Sequence, residues 1–595
     1  MPDTAANQPP PRVGLDEFST NAALVDGIRR YGAGWASGAL AAAGRLVGSA
    51  EFQENARLAN LHPPALRALD RYGERLDEVE YHPAYHRVLG DAVAHGAHTS
   101  AWADPRPGAH VARAAAFMLF AQVEPGHACP VSMTHAAVPA LAAEPGLADV
   151  WLPRLYGTGY EPRLIPAAEK PGALVGMAMT ERQGGSDVRA NTTTATDAGG
   201  GTARITGQKW FCSAPMSDAF LVLAQEPAGL SCFLVPRVLD DGTRNPFRLV
   251  RLKSKLGNRA NASAEVEFEG ALGWRIGEAG RGVRAIIGMV HETRLDCVLG
   301  TAAGMRQAVA EAVWHARHRR AFGRLLADQP AMAAVLADLA LESEAATALG
   351  LRLAAADDGG RPARGEGAGT DAGGLDGGGV DGDRERAFAR IATAVAKYWV
   401  CKRGPGHAAE ALECLGGNGY TEDFPLAMRY REQPVMAIWE GSGNVVALDV
   451  LRALAREPDA AEALADELEA QRGVDPVLDA QLGRALSLLS DAAREPEEAQ
   501  AWARRLAEEL ALALQGALLV GTRRRPSRRR SSARGSARSG RSATGASRTL
   551  RGRRRSSPGC SAVPFAPCAL PRTGRPSRIG RPSPHWAAAP PPQCG

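Results

Sequence analysis

The sequence predicts an α+β multidomain protein: a helical N-terminal domain, an antiparallel β middle domain, a helical bundle, a partial fourth helical domain and an arginine-rich tail. Three observations carry this prediction. Apolar residues recur at three- and four-residue spacing over about 20–150, short alternating segments replace them over 176–277, and the helical spacing returns from about 283. At 595 residues the chain has room for three or four domains of roughly 100 to 200 residues each.

The N-terminal domain, 1–175, rests on "AALVDGIRRYGAGWASGALAAAGRLVG" and "HVARAAAFMLFAQVE", both rich in Ala and Leu at helical spacing. The β domain, 176–277, rests on "ALVGMAMTE", "GTARITGQKWFC", "DAFLVLAQE", "LSCFLVPR" and "SAEVEFEG", short segments parted by Gly, Pro, Asn and Asp. The bundle, 278–458, opens with "VRAIIGMVHETRLDCVLGTAAGMRQAVAEAVWHARHRRAFG". Inside it, 357–384 is Gly- and Asp-rich, cannot offset its ordering entropy, and is expected to be a disordered surface loop. Residues 459–520 are helical again, a domain begun and left incomplete. Residues 521–595 are an Arg/Ser/Pro/Gly tail expected to be disordered. With GC-rich codons assumed for "GTRRRPSR", moving the frame back one base onto a preceding C yields Arg-His-Ala-Pro-Pro-Ser-Val-Ala, so a frame change near 520 is the preferred origin of the tail.

Charge separates the tail from the body. The net +5 conceals 18 Arg in 521–595 without any Lys, Asp or Glu; the remainder holds 52 basic against 65 acidic residues, or −13. No apolar run reaches the ~20 residues of a membrane span, and "MPDTAANQPPPRVG" lacks the basic-then-apolar plan of a signal peptide. A cytoplasmic protein without a membrane partner is expected. The nine cysteines are scattered with no C-x-x-C pair, so neither a disulfide framework nor a metal site is expected, and the thiols should be reduced and mostly buried.

Chemistry concentrates in "YREQPVMAIWEGSGN", where Glu440 stands between Ile438–Trp439 and Gly441–Ser442–Gly443. A carboxylate here has two readings. It can sit near the start of a helix over "VVALDVLRALA", with Ser442 or Asn444 as the cap, or it can be a general base kept in a dry pocket. In "MTERQGGSD", Gly184 and Gly185 permit positive φ, so successive N–H groups can face a phosphate while Ser186 adds a hydroxyl donor.

The helix–β–helix order, with "MTERQGGSD" opening the β module and "WEGSGN" late in the bundle, resembles the acyl-CoA dehydrogenase superfamily over about 20–520. The strings "GWASGALAAAGRLVGSAEFQENARLANLHPP", "LKSKLGNRANASAEVEF" and "YREQPVMAIWEGSGNVVALDVLR" are similar to its bacterial DNA-alkylation-response branch. That resemblance implies a helical domain, a β-barrel-like middle, a helical bundle, and a homotetramer with FAD between subunits. In this branch it implies also a fourth helical domain associated with duplex DNA.

Carried over residue by residue, the resemblance assigns cofactor contacts to Met179, Thr180, Gly185 and Ser186, with Thr180 at the flavin's polar edge. It sets Phe211 against the isoalloxazine and Ser213 near N5. Arg319 is implied to reach the FAD pyrophosphate across the subunit interface, a role suited to a guanidinium fork. Gln329 lies one residue closer than the family glutamine and is not carried over. Gly416 and Gly417 of "LECLGGNGY" match the close backbone approach to a neighbour's FAD, and Gly441, Ser442 and Asn444 complete the cofactor set. Glu440 aligns with the base that removes the α-proton of an acyl thioester while hydride leaves for flavin N5. Trp439 and Arg294 would line the substrate pocket. The alternative base position, just before an arginine, holds Thr293 ahead of Arg294. The implied function is an FAD-dependent acyl-CoA dehydrogenase acting on an acyl-CoA-like molecule; the alternative is a duplex-DNA-binding alkylation-response flavoprotein with vestigial dehydrogenase activity.

Overall fold

Ala- and Leu-rich periods wind α1 (Ala22–Arg30), α2 (Ser37–Val47) and α3 (Ala50–Leu61). Side-chain oxygens of Asn21 and Ser49 accept from Leu24 N–H and Phe52 N–H, closing two of the helix starts. The computed structural model describes residues 7–359 and 379–523. The N-terminal region is not wholly helical: β1 (Ala65–Leu69) and β2 (Arg75–Glu80) form an antiparallel hairpin. Its turn is set by Asp70, whose carboxylate accepts from the Tyr72 and Glu74 N–H groups, and by Gly73 at φ 88. The strands, "ALRAL" and "RLDEVE", lack β-branched residues apart from Val79, which is why periodicity passes over them.

Five more helices follow: α4 (Pro83–Ala94), α5 (Ser100–Ala103), α6 (Ala109–Ala121), α7 (Ala128–Ala142) and α8 (Pro145–Leu155). Every residue of α6 is buried, including Arg113. An arginine is tolerated there because its guanidinium forks onto the Asp296 carboxylate and also donates through Nε to the Ala97 and His98 carbonyls. Removing one partner leaves a buried charge unpaired. Asp296→Ala is therefore expected to cost about 3–5 kcal/mol of stability, read as a lowered urea midpoint; a midpoint equal to the parent's would show that the pair holds nothing.

The middle region contains β3 (Val175–Ala178), β4 (Thr194–Gly199), β5 (Thr202–Ser213), β6 (Ala219–Glu226), β7 (Gly229–Pro236), β8 (Phe247–Leu252) and β9 (Ser263–Ile276). The sheet is mixed rather than antiparallel. β3 runs parallel to β6, with Val175 opposite Ala219 and Ala178 opposite Val222, and Thr194 of β4 meets Gln225 of β6 in the same sense. The parallel pairing has a compositional cause: "AFLVLA" of β6 is buried on both faces, as strands beside parallel neighbours commonly are. Strands β6, β4, β5, β9 and β7 close into a ring, because β7 pairs with both β9 and β6, while β3 and β8 flank it. The β1–β2 hairpin docks here through Leu249 N–H to Asp77 Oδ1 at 2.8 Å and Arg244 to Glu78 at 2.7 Å.

The bundle is built on α9 (Gly282–His318), the short hairpin β10 (Arg320–Ala321) and β11 (Arg324–Leu325), α10 (Pro330–Gly359), α11 (Gly379–Glu413), α12 (Pro425–Met436) and α13 (Gly443–Arg456). The expected loop over 357–384 is shorter at both ends, since α10 continues through Gly359 and α11 begins at Gly379. Its centre, 360–378, lies outside the described residues. Last come α14 (Pro458–Glu469), α15 (Pro476–Arg494), α16 (Pro496–Ala499) and α17 (Ala503–Arg523). Leu506, Leu510, Leu514 and Leu518 bury one face of α17 against the bundle, and Trp399 Nε1 donates to Gln515 at 3.1 Å. The helix runs three residues past the expected tail boundary at 521; 524–595 lie outside the described residues. Among the described residues, six cysteines are free and buried, and no helix is long and apolar enough to cross a membrane.

Candidate active site

α12 continues two residues past Pro434 to Met436, and a six-residue turn, 437–442, connects it to α13 at Gly443. Glu440 sits in that turn at φ 58, followed by Gly441 at φ 112. A left-handed glutamate costs on the order of 1–3 kcal/mol and persists only where its surroundings over-determine it. Two cations do so. Arg294 Nε donates to the Glu440 carbonyl at 3.0 Å while Nη1 grips Asp449 at 2.5 Å; Lys397 Nζ donates to the Met436 carbonyl at 2.7 Å and the Gly441 carbonyl at 3.3 Å. The capping alternative is not realised. Ser442 occupies the N-cap position without a side-chain hydrogen bond to the helix, and Asn444 lies within the first turn of α13.

Burial raises the Glu440 carboxyl above the usual carboxylate range; the Thr293 hydroxyl, the Arg294 guanidinium and the Lys397 ammonium oppose that rise. Trp439 walls the space beside it, packing with Cys129, Met133, Ala214 and Met177 on one side and with Cys297, Cys401 and Met436 on the other. Burial also pushes the Cys129 thiol up to about 11, so it is a neutral part of the wall. α7, α9, α11 and the turn between α12 and α13 thus meet the end of the β domain around one carboxyl group.

The β domain contributes two stretches. In the first, Gly184 adopts φ 142 and exchanges backbone hydrogen bonds with Glu181. Gly185 does not have positive φ, contrary to expectation; its hydrogen is needed because a Cβ would lie 2.4 Å from Thr180 Oγ1. Met179 and Thr180 are half-buried and Ser186 is exposed. In the second, Phe211 is 51% exposed and not a core aromatic, with Lys253 Nζ 3.3 Å from the Trp210 ring centroid and 4.9 Å from that of Phe211. Ser213 Oγ lies 3.2 Å from Ser263 Oγ.

Sequence reasoning missed what holds the first stretch in place. The Glu181 carboxylate accepts from Lys209 Nζ at 2.8 Å and from the Thr192 and Thr193 N–H groups, and these donors hold it down at about 2. The available signal was Lys209 itself, a lysine at an inward strand position that is 1% exposed.

Arg319, Gly416 and Gly417 form a second group at the far end of α9 and α11, beside the packed residues Ala316, Leu326 and Leu415. Arg319 Nη1 donates to the Asn7 carbonyl at 2.8 Å. Gln329 Nε2 donates to the Ala321 carbonyl at 3.1 Å and so serves the β10–β11 hairpin. At that hairpin's tip stands Phe322, at φ 53 and 96% exposed, another residue missed; an aromatic directly before a turn glycine was the available signal. Gly416 adopts φ 59, whereas Gly417 is needed neither by its φ nor by packing, since nothing lies within 4 Å of a Cβ built on it.

These domains and this glutamate turn define a class. Residues 7–162 match the adaptive response protein AidB N-terminal domain, 176–271 the acyl-CoA dehydrogenase middle domain, and 280–455 the acyl-CoA dehydrogenase C-terminal domain. The chain belongs to the acyl-CoA dehydrogenase family, FAD-dependent oxidoreductases acting on CH–CH groups. Within it, the chain is 46% identical over 497 residues to the putative acyl-CoA dehydrogenase AidB of Escherichia coli, covering 83% of this chain and 87% of that one. In structure it is similar to Caenorhabditis elegans ACDH-11 in complex with C11-CoA, with a TM-score of 0.77 and 26% identity over 86% of this chain and 88% of that one. The apo form of Bd2924 superposes with a TM-score of 0.75 and 26% identity over 87% and 99% of the two chains.

Proposed function

We propose that the protein is an acyl-CoA dehydrogenase in which Glu440 removes the α-proton of an acyl thioester. The observation that carries this is the Glu440 turn: a carboxyl with raised proton affinity, fixed at positive φ by Arg294 and Lys397, beside the Trp439 wall. The surroundings of Glu440 raise the carboxyl's proton affinity, which suits a general base, while the side chain stays partly accessible for a substrate to reach. The Thr293 hydroxyl, which lowers the carboxyl's proton affinity, itself donates back to the Met289 carbonyl of α9 at 3.0 Å. Trp439, Met133 and Cys129 offer apolar surface for an acyl chain, in keeping with the C11-CoA bound to ACDH-11.

The residues present fit FAD. The chain itself requires glycine at 185 to clear Thr180 but gives no reason for glycine at 417, which suits close approach by a group from outside the chain. Thr180, Ser186, Phe211 and Ser213 would hold one part of the dinucleotide, and Arg319, Gly416 and Gly417 another part from a neighbouring subunit. Gly441, Ser442 and Asn444 would border the same site. FAD, when bound, accepts the β-hydrogen as hydride. On this reading the FAD-bound protein is a homo-oligomer, with four subunits expected by light scattering.

The test is a visible spectrum of the purified protein followed by anaerobic titration with acyl-CoAs of increasing length. A flavin spectrum with about one FAD per chain, bleached by some member of the series, is the expected result. Bound flavin that no acyl-CoA reduces would instead favour the second reading, a DNA-associated flavoprotein, which similarity to AidB and the arginines of 521–595 support. Gly417→Ala supplies a separate check. The chain has room for the methyl, so the fold should hold while FAD retention through gel filtration falls severalfold; unchanged flavin content would remove Gly417 from the cofactor site.

A further inference from the structure

Residues Asn7 to Arg12 run as a strap over the far end of α9, and their composition suits that use. Pro9, Pro10 and Pro11 fix φ and carry no N–H, so the strap is stiff before it docks and its centre has no donor to leave unpaired. It is pinned at three points. Arg12, which is buried, forks onto the Glu17 carboxylate, with Nη2 2.8 Å from Oε2. Gln53 Nε2 of α3 donates to the Arg12 carbonyl at 3.2 Å, and Trp314 Nε1 of α9 donates to the Pro10 carbonyl at 2.8 Å. These anchors set where the two residues ahead of the prolines fall.

Those two residues meet both parts of the second group of cofactor residues. Asn7 lies against the β10–β11 hairpin, where its Nδ2 donates to the Arg320 carbonyl at 2.9 Å and its Oδ1 accepts from the Arg320 N–H at 2.9 Å. The amide pairs both backbone groups of Arg320, as the peptide of a third strand would, on a hairpin of two residues a side that is marginal alone. Asn7 adopts φ 49, a conformation that asparagine tolerates better than most side chains, and its carbonyl accepts from Arg319 Nη1 at 2.8 Å. Gln8 Oε1 accepts from Asn418 Nδ2 at 3.1 Å, inside the turn Gly416–Tyr420. One strap thus joins an arginine and a glycine turn that are far apart in the chain.

We propose that Asn7 and Gln8 are positioning residues for the cofactor, holding Arg319 and the Gly416–Tyr420 turn in the arrangement that receives the FAD pyrophosphate of a neighbouring subunit. The proposal rests on the reading of Arg319, Gly416 and Gly417 as cofactor residues. An arginine loses rotamer freedom when a phosphate fixes it, and a bond that already holds the guanidinium removes part of that cost. The Asn7 carbonyl takes one N–H of a group that has five, which leaves the rest of the fork for phosphate oxygens. The opposing arrangement, in which that carbonyl competes with phosphate for Arg319, predicts the opposite sign.

FAD dissociation constants of the full-length protein, from titration of the deflavinated chain followed by flavin fluorescence, test this as a cycle of variants. Asn7→Gly keeps the left-handed backbone and its carbonyl but loses the amide clip on Arg320. It should weaken FAD binding about 3- to 10-fold, the worth of a lost pair of exposed hydrogen bonds. With Arg319→Ala already in place, the same change should have little further effect, because a residue that acts through Arg319 then has nothing to position. Fully additive losses would show a merely structural strap and overturn the proposal. So would parental affinity in Asn7→Gly, or tighter binding, which would show the strap competing with phosphate. Arg319→Ala alone separates the premise: undiminished FAD affinity there would remove Arg319 from the cofactor site and the proposal with it, whereas weakened binding there beside an unaffected Asn7→Gly overturns the strap's role only. Should Asn7→Gly fail to fold, Gln8→Ala removes one exposed hydrogen bond to the glycine turn; it should weaken FAD binding about 2- to 5-fold, and parental affinity would overturn the proposal.

Discussion

Glu440→Gln should slow acyl-CoA-driven flavin bleaching by about 10²- to 10⁴-fold, the usual contribution of a general base, with FAD content unchanged. The amide keeps the shape of the side chain and the left-handed turn but cannot accept the α-proton. Stopped-flow absorbance at the flavin maximum measures it; bleaching at the parent's rate would move the base elsewhere. The pH dependence of the parent enzyme follows from the same group. Burial raises the Glu440 carboxyl, so its proton is held to a higher pH than on an ordinary glutamate and the reactive carboxylate appears only above that point. The bleaching rate should rise with pH along an acid limb displaced upward from the usual glutamate range. In the glutamine variant that limb should vanish.

Duplex-DNA binding, the second large effect, should reside in 521–595. Without that segment the chain carries −13, which repels phosphate, whereas the segment carries 18 arginines and no acidic residue. Arginines contacting phosphates do not distinguish base sequence. If roughly six to ten phosphates are engaged, affinity should fall about 10³- to 10⁵-fold between ~50 and ~200 mM salt. A chain ending at Val520 keeps every proposed flavin residue and the buried Leu518 of α17, so it should stay yellow and lose the DNA affinity. Gel shifts over a salt series compare the two chains. Equal binding by the shortened chain would assign DNA to the helices α14–α17 instead.

Local pattern made most of the architecture readable. Helical spacing located the helices on both sides of the sheet, because an apolar stripe repeats within a single element. The short apolar runs located β3, β5, β6, β7 and β9 for the same reason. It did not locate β4 or β8, nor the β1–β2 hairpin, whose "RLDEVE" strand exposes charged residues and derives its stability from Asp77 bonding to Leu249. Nor could it foresee the parallel pairing of β3 with β6, since strand direction depends on where distant segments return.

The sequence by itself determined the family, the order of its three matched regions and the presence of one carboxylate between an apolar run and a glycine turn. The left-handed backbone at Glu440 was decided only in three dimensions. Arg294 and Lys397, from α9 and α11, grip the turn's carbonyls and hold φ at 58. Residues 146 and 43 positions away in the chain impose that conformation, and no periodicity within a window records them. The same holds for Glu181 with Lys209 and for Arg113 with Asp296. Each is a buried polar contact between separate elements, and such contacts exist only once the chain has closed around them.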